Sequence, residues 1–216
     1  MALEIRVLVV DDSAVARAFL IKGLSAYPYI EVVGYAINAL DAKAKILRLH
    51  PDVMTLDVEM PGTNGILAQL LPEHPLPVIL VSSLSLRVFD ALAAGAVDFV
   101  RKPDGIESRE SFLRSLAQKI TVASCAKVVP PRRTGNAVHA PASACLPLSR
   151  TGGSAFSQVI IGLGASTGGT EATLEVLRRL PADIPGMVIV QHMPVGFTKM
   201  YADRLNRICQ MEVREA

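Results

Sequence analysis

Along residues 1–121, short unbroken apolar runs alternate with stretches in which apolar side chains recur every three or four positions. Ile5 to Val10 is a largely β-branched run, the composition of a strand buried on both faces of a sheet. Ser13 stands where a helix wants its N-cap, and Ala14 to Leu24 follows with helical spacing. The same alternation predicts further strands at Glu31–Tyr35, Val53–Asp57, Val78–Ser82 and Asp98–Arg101. It predicts helices at Ala39–Leu49, Gly65–Leu71, Leu86–Ala94 and Ser108–Ile120. Five strands interleaved with five helices is the pattern of a doubly wound α/β domain with a parallel sheet.

The pattern lapses over residues 122–157, where Pro130, Pro131, Pro141, Pro147, Gly135, Gly152 and Gly153 sit among small and polar residues. That composition predicts a flexible interdomain linker. Over residues 158–216 order is expected again: strands at Val159–Leu163 and Gly186–Gln191, helices at Glu171–Leu180 and Phe197–Ile208. Two strands and two helices are too few to close an α/β domain, so this section reads as the start of a second, incomplete one.

Half of the 216 residues are hydrophobic and 19% are charged, a composition that folds. The net charge of +2 carries no strong pull toward nucleic acid or a membrane surface. Cys125, Cys145 and Cys209 are odd in number and show no metal-ligand spacing, so neither disulfides nor structural zinc are expected. No signal-peptide pattern and no apolar stretch of membrane-spanning length is present, which predicts a cytoplasmic protein without membrane insertion.

In an open α/β sheet the ligand site lies beyond the carboxyl ends of the strands. Here those ends are chemically loaded: Asp11 and Asp12 after the first strand, Asp57 on the third, Ser82 on the fourth, Lys102 after the fifth. A single polar residue at such a position is ordinary, but the joint pattern is not. Three carboxylates on one rim repel each other and form an oxygen-rich site suited to Mg²⁺. With a cation bound, Asp57 can attack a phosphoryl donor, Lys102 can pair with the added charge, and the Ser82 hydroxyl can hydrogen-bond a phosphoryl oxygen. The segments VLVVDDS, TLDVEMPGTNG, VILVSS and VRKP resemble the receiver domains of two-component response regulators, a flavodoxin-like fold. The resemblance implies Asp57 as phosphoacceptor, Ser82 and Lys102 as the switch pair, and a chemotaxis histidine kinase as phosphodonor. It also implies Mg²⁺ held by Asp12, Asp57 and the backbone carbonyl of Glu59, with Asp11 alongside. Two departures stand out: Asn64-Gly65 replaces the more usual Asp-Gly, and Leu70–Pro77 and Ser85–Gly95 look slightly shortened.

The stretch Ile160 to Thr170, IIGLGASTGGT, allows two readings. As a dinucleotide turn, Gly162, Gly164 and Gly168 require an acidic residue ending the next strand, which instead ends in Gln191-His192. As a nucleophile turn, Gly164-Ala165-Ser166-Thr167-Gly168 is a GxSxG between strand and helix, with Ser166 raised above the sheet. Backbone amides opening the following helix can then stabilise an oxyanion, and His192, ending a neighbouring strand, can take the serine proton.

GASTGGTEA and VIVQHMPVGFT resemble the catalytic domain of chemotaxis protein-glutamate methylesterases, the CheB family, whose order of receiver, linker and esterase matches this chain. The resemblance implies hydrolysis of glutamate methyl esters on methylated chemoreceptors and deamidation of receptor glutamines, with no cofactor for hydrolysis. It implies Ser166 as nucleophile, His192 as base and Thr167 beside them, covered by the receiver until Asp57 is phosphorylated. The family's triad aspartate lies further downstream than Ala216, and Asp203, on a predicted helix, is expected at the surface. Weak or absent esterase activity is therefore expected of this chain. A non-enzymatic phosphoreceiver whose C-terminal section only binds a partner is the alternative from another functional class.

Overall fold

The computed structural model describes residues 4–103, 108–126, 128 and 159–216, so nearly all of the expected linker lies outside the described residues. Five strands, β1 (Ile5–Val10), β2 (Ile30–Ala36), β3 (Val53–Asp57), β4 (Val78–Ser82) and β5 (Asp98–Arg101), form one parallel sheet in the order β2-β1-β3-β4-β5. The helices between and after them are α1 (Ala14–Leu24), α2 (Ala39–Leu49), α3 (Thr63–Leu70), α4 (Arg87–Ala93) and α5 (Arg109–Ser124). The chain reverses its winding between β1 and β3, which places the ligand crevice at the carboxyl ends of those two strands.

Strand periodicity divides the interior into two layers. Val7, Val9, Val53, Ile79, Val81 and Val100 face α1 and α5 through Leu20, Leu24, Phe112, Leu116 and Ile120. Leu8, Val10, Met54, Leu56, Val78, Leu80 and Phe99 face α2, α3 and α4. Side-chain N-caps start α1 and α5. The Ser13 hydroxyl accepts from the Ala16 amide at 3.3 Å, and the Ser108 hydroxyl accepts from Ser111 at 3.0 Å. The limits of β2, α3 and α4 shift from expectation by a residue or two, and α5 continues past residue 121 to Ser124, with Ala123 buried and no glycine or proline to stop it.

The second section contains β6 (Ile160–Ala165), α6 (Gly169–Leu177), β7 (Gly186–Gln191) and α7 (Phe197–Ile208), with β6 and β7 paired in parallel. α6 starts two residues before the predicted Glu171, because Gly168 at φ +76° completes the turn and lets the helix begin at once. The section shares the receiver-like section's core. Leu174, Leu177, Phe197, Tyr201 and Leu205 join the layer containing Phe89 and Phe99. Phe197 lies 4.6 Å from Phe99 and 6.4 Å from Phe89, ring centre to ring centre. Arg101 adds a hydrogen bond of 3.3 Å to the Val195 carbonyl. The opposite face of the β6–β7 pair, with Ile160, Val188 and Val190, is exposed. Cys125 and Cys209 are free thiols, and no helix among the described residues is long and apolar enough to cross a membrane.

Candidate phosphorylation and hydrolase sites

β1 and β3 deliver Asp11 and Asp57 to the crevice, both almost fully buried, while Asp12 is exposed at its rim. One oxygen from each of the three carboxylates lies within 4.8 Å of the others. Asp11 Oδ1 accepts from the Ser13 amide at 2.8 Å, but its Oδ2 is buried without a partner. A buried, unpartnered carboxylate oxygen on a residue clustered with two further carboxylates is a donor set that fits a hard divalent cation. Burial pushes the Asp11 carboxyl up, against the pull of the Ser13 amide and Lys102.

Lys102 follows β5 and lies 2.8 Å from Asp57 Oδ1. Its Nζ also lies 2.9 Å from Glu59 Oε2, as an ion pair without hydrogen-bond alignment. Burial raises the Asp57 carboxyl to about 6, with Lys102 and the Glu59 amide opposing it. For Glu59 burial acts upward too, but Lys102 and the Ser83 amide outweigh it and hold the group low. Burial would lower Lys102, and the two carboxylates more than reverse that, leaving the ammonium raised. Thr63 donates to the Asp57 carbonyl at 2.9 Å or the Met60 carbonyl at 2.7 Å, fixing the loop after β3.

The Glu59 side chain is the participant that sequence reasoning missed, having assigned that residue only a backbone role. Its Oε1 accepts from the Ser83 amide at 2.8 Å and lies 3.0 Å from Ser82 Oγ. Ser82 Oγ is also 2.8 Å from the Ser83 carbonyl, and its one proton serves one of the two acceptors. An acidic residue two positions beyond Asp57, near the end of the neighbouring strand β4, is too common a feature to have marked a side-chain role.

In the second section β6 leads into Ser166, Thr167 and Gly168 and then α6, the strand–turn–helix layout a nucleophile turn needs. The turn closes by a 2.7 Å hydrogen bond from the Gly169 amide to the Ser166 carbonyl. His192 follows β7, in register with this turn, its amide donating to the Ala165 carbonyl at 3.2 Å. Ser166, Thr167 and His192 thus line one cleft of about 590 Å³. No side-chain hydrogen bond joins Ser166 to His192 among the described residues, and no carboxylate there bonds the His192 ring. Asp203 is exposed on α7.

The cleft's remaining wall comes from the first section: Tyr29 after α1, and Ser115, Gln118, Lys119, Thr121 and Val122 on α5. The Gly168 amide, at the start of the turn's helix, donates to the Val97 carbonyl just before β5 at 3.1 Å. Lys119, in that wall, forms a buried 2.7 Å ion pair with Asp98. Sequence alone offered no signal for these contacts, which join residues far apart in the chain.

Comparison with known proteins finds likenesses for both sections. The response regulator receiver domain model matches residues 7–111, and the CheB methylesterase model matches residues 161–216. The protein-glutamate methylesterase/protein-glutamine glutaminase 2 of Syntrophomonas wolfei is 50% identical over 217 residues, 99% of this chain and 61% of its own length. A protein-glutamate methylesterase/protein-glutamine glutaminase of Syntrophotalea carbinolica is 46% identical, over 100% of this chain and 63% of its own length. The chain therefore spans less than two thirds of these relatives. The crystal structure of the response regulator domain of Thermotoga maritima CheB superposes with a TM-score of 0.53 at 39% identity, covering 57% of this chain and 98% of that one. By both of its sections, this chain belongs to the CheB protein-glutamate methylesterase family.

Proposed function

We propose that the chain is a phosphorylation-gated chemotaxis hydrolase segment with a receiver at residues 1–121, a linker at 122–157 and part of the catalytic domain at 158–216. The observation that carries the reading is the cleft holding Ser166, Thr167 and His192 under α5 of the receiver.

In the receiver, Asp57 takes a phosphoryl group from a chemotaxis histidine kinase. Asp11, Asp12, Asp57 and the Glu59 carbonyl would hold Mg²⁺, which when bound supplies charge neutralisation between the carboxylates and the incoming phosphoryl group. Lys102 exchanges its partners for the phosphoryl oxygens, and Ser82 supplies a hydroxyl to them.

At the second site Ser166 Oγ attacks the carbonyl carbon of a receptor glutamate γ-methyl ester while His192 accepts its proton. Collapse of the tetrahedral intermediate expels methanol, protonated by His192, and water then releases the glutamate. The same steps on a receptor glutamine expel ammonia. Amides opening α6 are the oxyanion donors within reach, and the Gly168 amide is spent on Val97 of the receiver while the sections stay docked. Val97 precedes β5 and Lys102 follows it, so the strand whose end reads Asp57 also anchors the nucleophile turn at its start.

Among the described residues no carboxylate bonds the His192 ring, and a triad working without its carboxylate turns over roughly 10⁴-fold more slowly. That favours, as a second reading, a phosphoreceiver that binds without hydrolysing. Hydrolysis of methylated receptor, measured with Mg²⁺ and a small phosphodonor for wild type, Ser166→Ala and Asp57→Asn, decides between them. Turnover that requires Ser166 and rises with Asp57 phosphorylation supports the hydrolase. Turnover absent from every variant, with Asp57 still labelled, leaves the binding reading. Equal labelling of wild type and Asp57→Asn sinks the receiver assignment.

A further inference from the structure

Gln191 ends β7 beside His192, and its side-chain amide does something no main-chain contact in the cleft does. Its Nε2 donates to the Ser166 carbonyl at 3.0 Å and to the His192 carbonyl at 3.2 Å. One side chain thereby ties the backbone of the proposed nucleophile to the backbone of the proposed base. The amide orientation is fixed by chemistry: turned over, its oxygen would face two carbonyls.

Two further observations show a built contact. Gln191 Oε1 is buried without a partner, an unfavourable position that persists where the other end of the group is required. It lies against Gly169, where an added Cβ would come within 2.5 Å of both Gln191 Oε1 and Ala165 Cβ. Glycine at the first position of α6 lets the amide reach over the helix start to the turn.

We infer that Gln191 is a positioning residue of the hydrolase site, a clamp that sets the relation of Ser166 to His192. The inference rests on the proposed roles of those two residues, yet it makes a claim about geometry that is measurable without turnover. Small displacements of a reacting group cost heavily, roughly 10²-fold for about 1 Å. A clamp matters most where no carboxylate orients the histidine.

The test uses the whole chain with Gln191→Met, which keeps the length and removes the donor, and Gln191→Glu, which keeps the shape and sets a carboxylate against the two carbonyls. Amide hydrogen exchange is read at Gly169 and His192, whose protons bond the turn and the β6 end. Both variants are expected to speed exchange there by roughly tenfold, with β1 and β3 unchanged. Unchanged exchange at these two amides, or an equal rise throughout β6 and β7, overturns the clamp. In parallel, the rate at which a fluorophosphonate modifies Ser166 is followed against pH. A fall of roughly 10²-fold with the same pH midpoint is expected. A wild-type labelling rate kept by either variant also overturns the inference. If Ser166 of the wild type does not react at all, the nucleophile assignment fails, and the exchange result alone judges the clamp.

Discussion

Phe99 on β5 and Phe197 at the start of α7 meet with ring centres 4.6 Å apart, at an interplanar angle of 56°. The pair joins sections separated by the whole linker, and Phe89 closes on Phe197 and on Tyr201 from α4. Because Phe197 is fully buried, Phe197→Ala should remove roughly 3–5 kcal/mol from the docked second section. Segment-resolved hydrogen exchange checks it: β6 and β7 should lose protection while β1 and β3 keep theirs. Equal loss in both sheets would mean that the sections unfold as one unit, and no loss would deny the pair its role.

Much of this architecture was legible beforehand, for physical reasons that differ between elements. β1, β3, β4 and β7 are short, mostly apolar runs, and the buried sheet imposes that composition directly, so their limits match expectation. Asp11, Asp57, Ser82 and Lys102 were legible because strand ends converge on one rim in an open sheet. The role of the Glu59 side chain was hidden, since an acidic residue in a loop after a strand has no period and no motif. The docking of α7 was hidden differently. Phe197, Tyr201 and Leu205 lie along one helical face, which announces burial but not the partner that supplies it. Contacts such as Gly168 to Val97 use backbone groups, which every sequence has.

The start of α2 offers a pH-dependent test away from both sites. Asn38 caps the Asp41 amide at 2.9 Å, and Asp41 accepts in return from Ile37 at 3.2 Å and from Lys45 at 2.9 Å. The Lys45 hydrogen bond, with the Ile37 amide, holds the Asp41 carboxyl below the usual carboxylate range despite partial burial. A carboxyl lowered on folding adds stability above its unfolded pKa and loses it as the pH falls through its folded value. Asp41→Asn should therefore cost about 0.5 kcal/mol at pH 7, with the difference from wild type closing below about pH 4. Thermal unfolding of the two proteins at both pH values provides the comparison. A gap that persists in acid would assign the effect to shape instead of charge.

Lys119, which lines the cleft with Ser166 and His192, forms an ion pair with Asp98 at 2.7 Å, with both side chains over nine-tenths buried. Desolvation makes such a pair weak evidence of net stabilisation, but leaving one charge without the other is costly. Lys119→Met alone should destabilise by roughly 3–5 kcal/mol, and Lys119→Met with Asp98→Leu should recover most of that loss. Urea midpoints for the two variants read this out. A double variant as unstable as the single one would show that the pair is worth more than its burial costs.

Glu59 makes the last prediction, because in the proposed receiver it would compete with the incoming phosphoryl group for the same two partners. Lys102 is shared between Asp57 and Glu59, and Ser82 Oγ lies within reach of Glu59 Oε1. Glu59→Gln keeps an oxygen for the Ser83 amide while removing the charge that holds Lys102. The Glu59 side chain is 35% exposed, so its ion pair is screened and worth only about 0.5–1 kcal/mol. Phosphoryl uptake at Asp57 should then quicken by roughly two- to fivefold when followed with a small phosphodonor and Mg²⁺. A slower uptake would show that Glu59 prepares Lys102 for the phosphoryl group and does not restrain it.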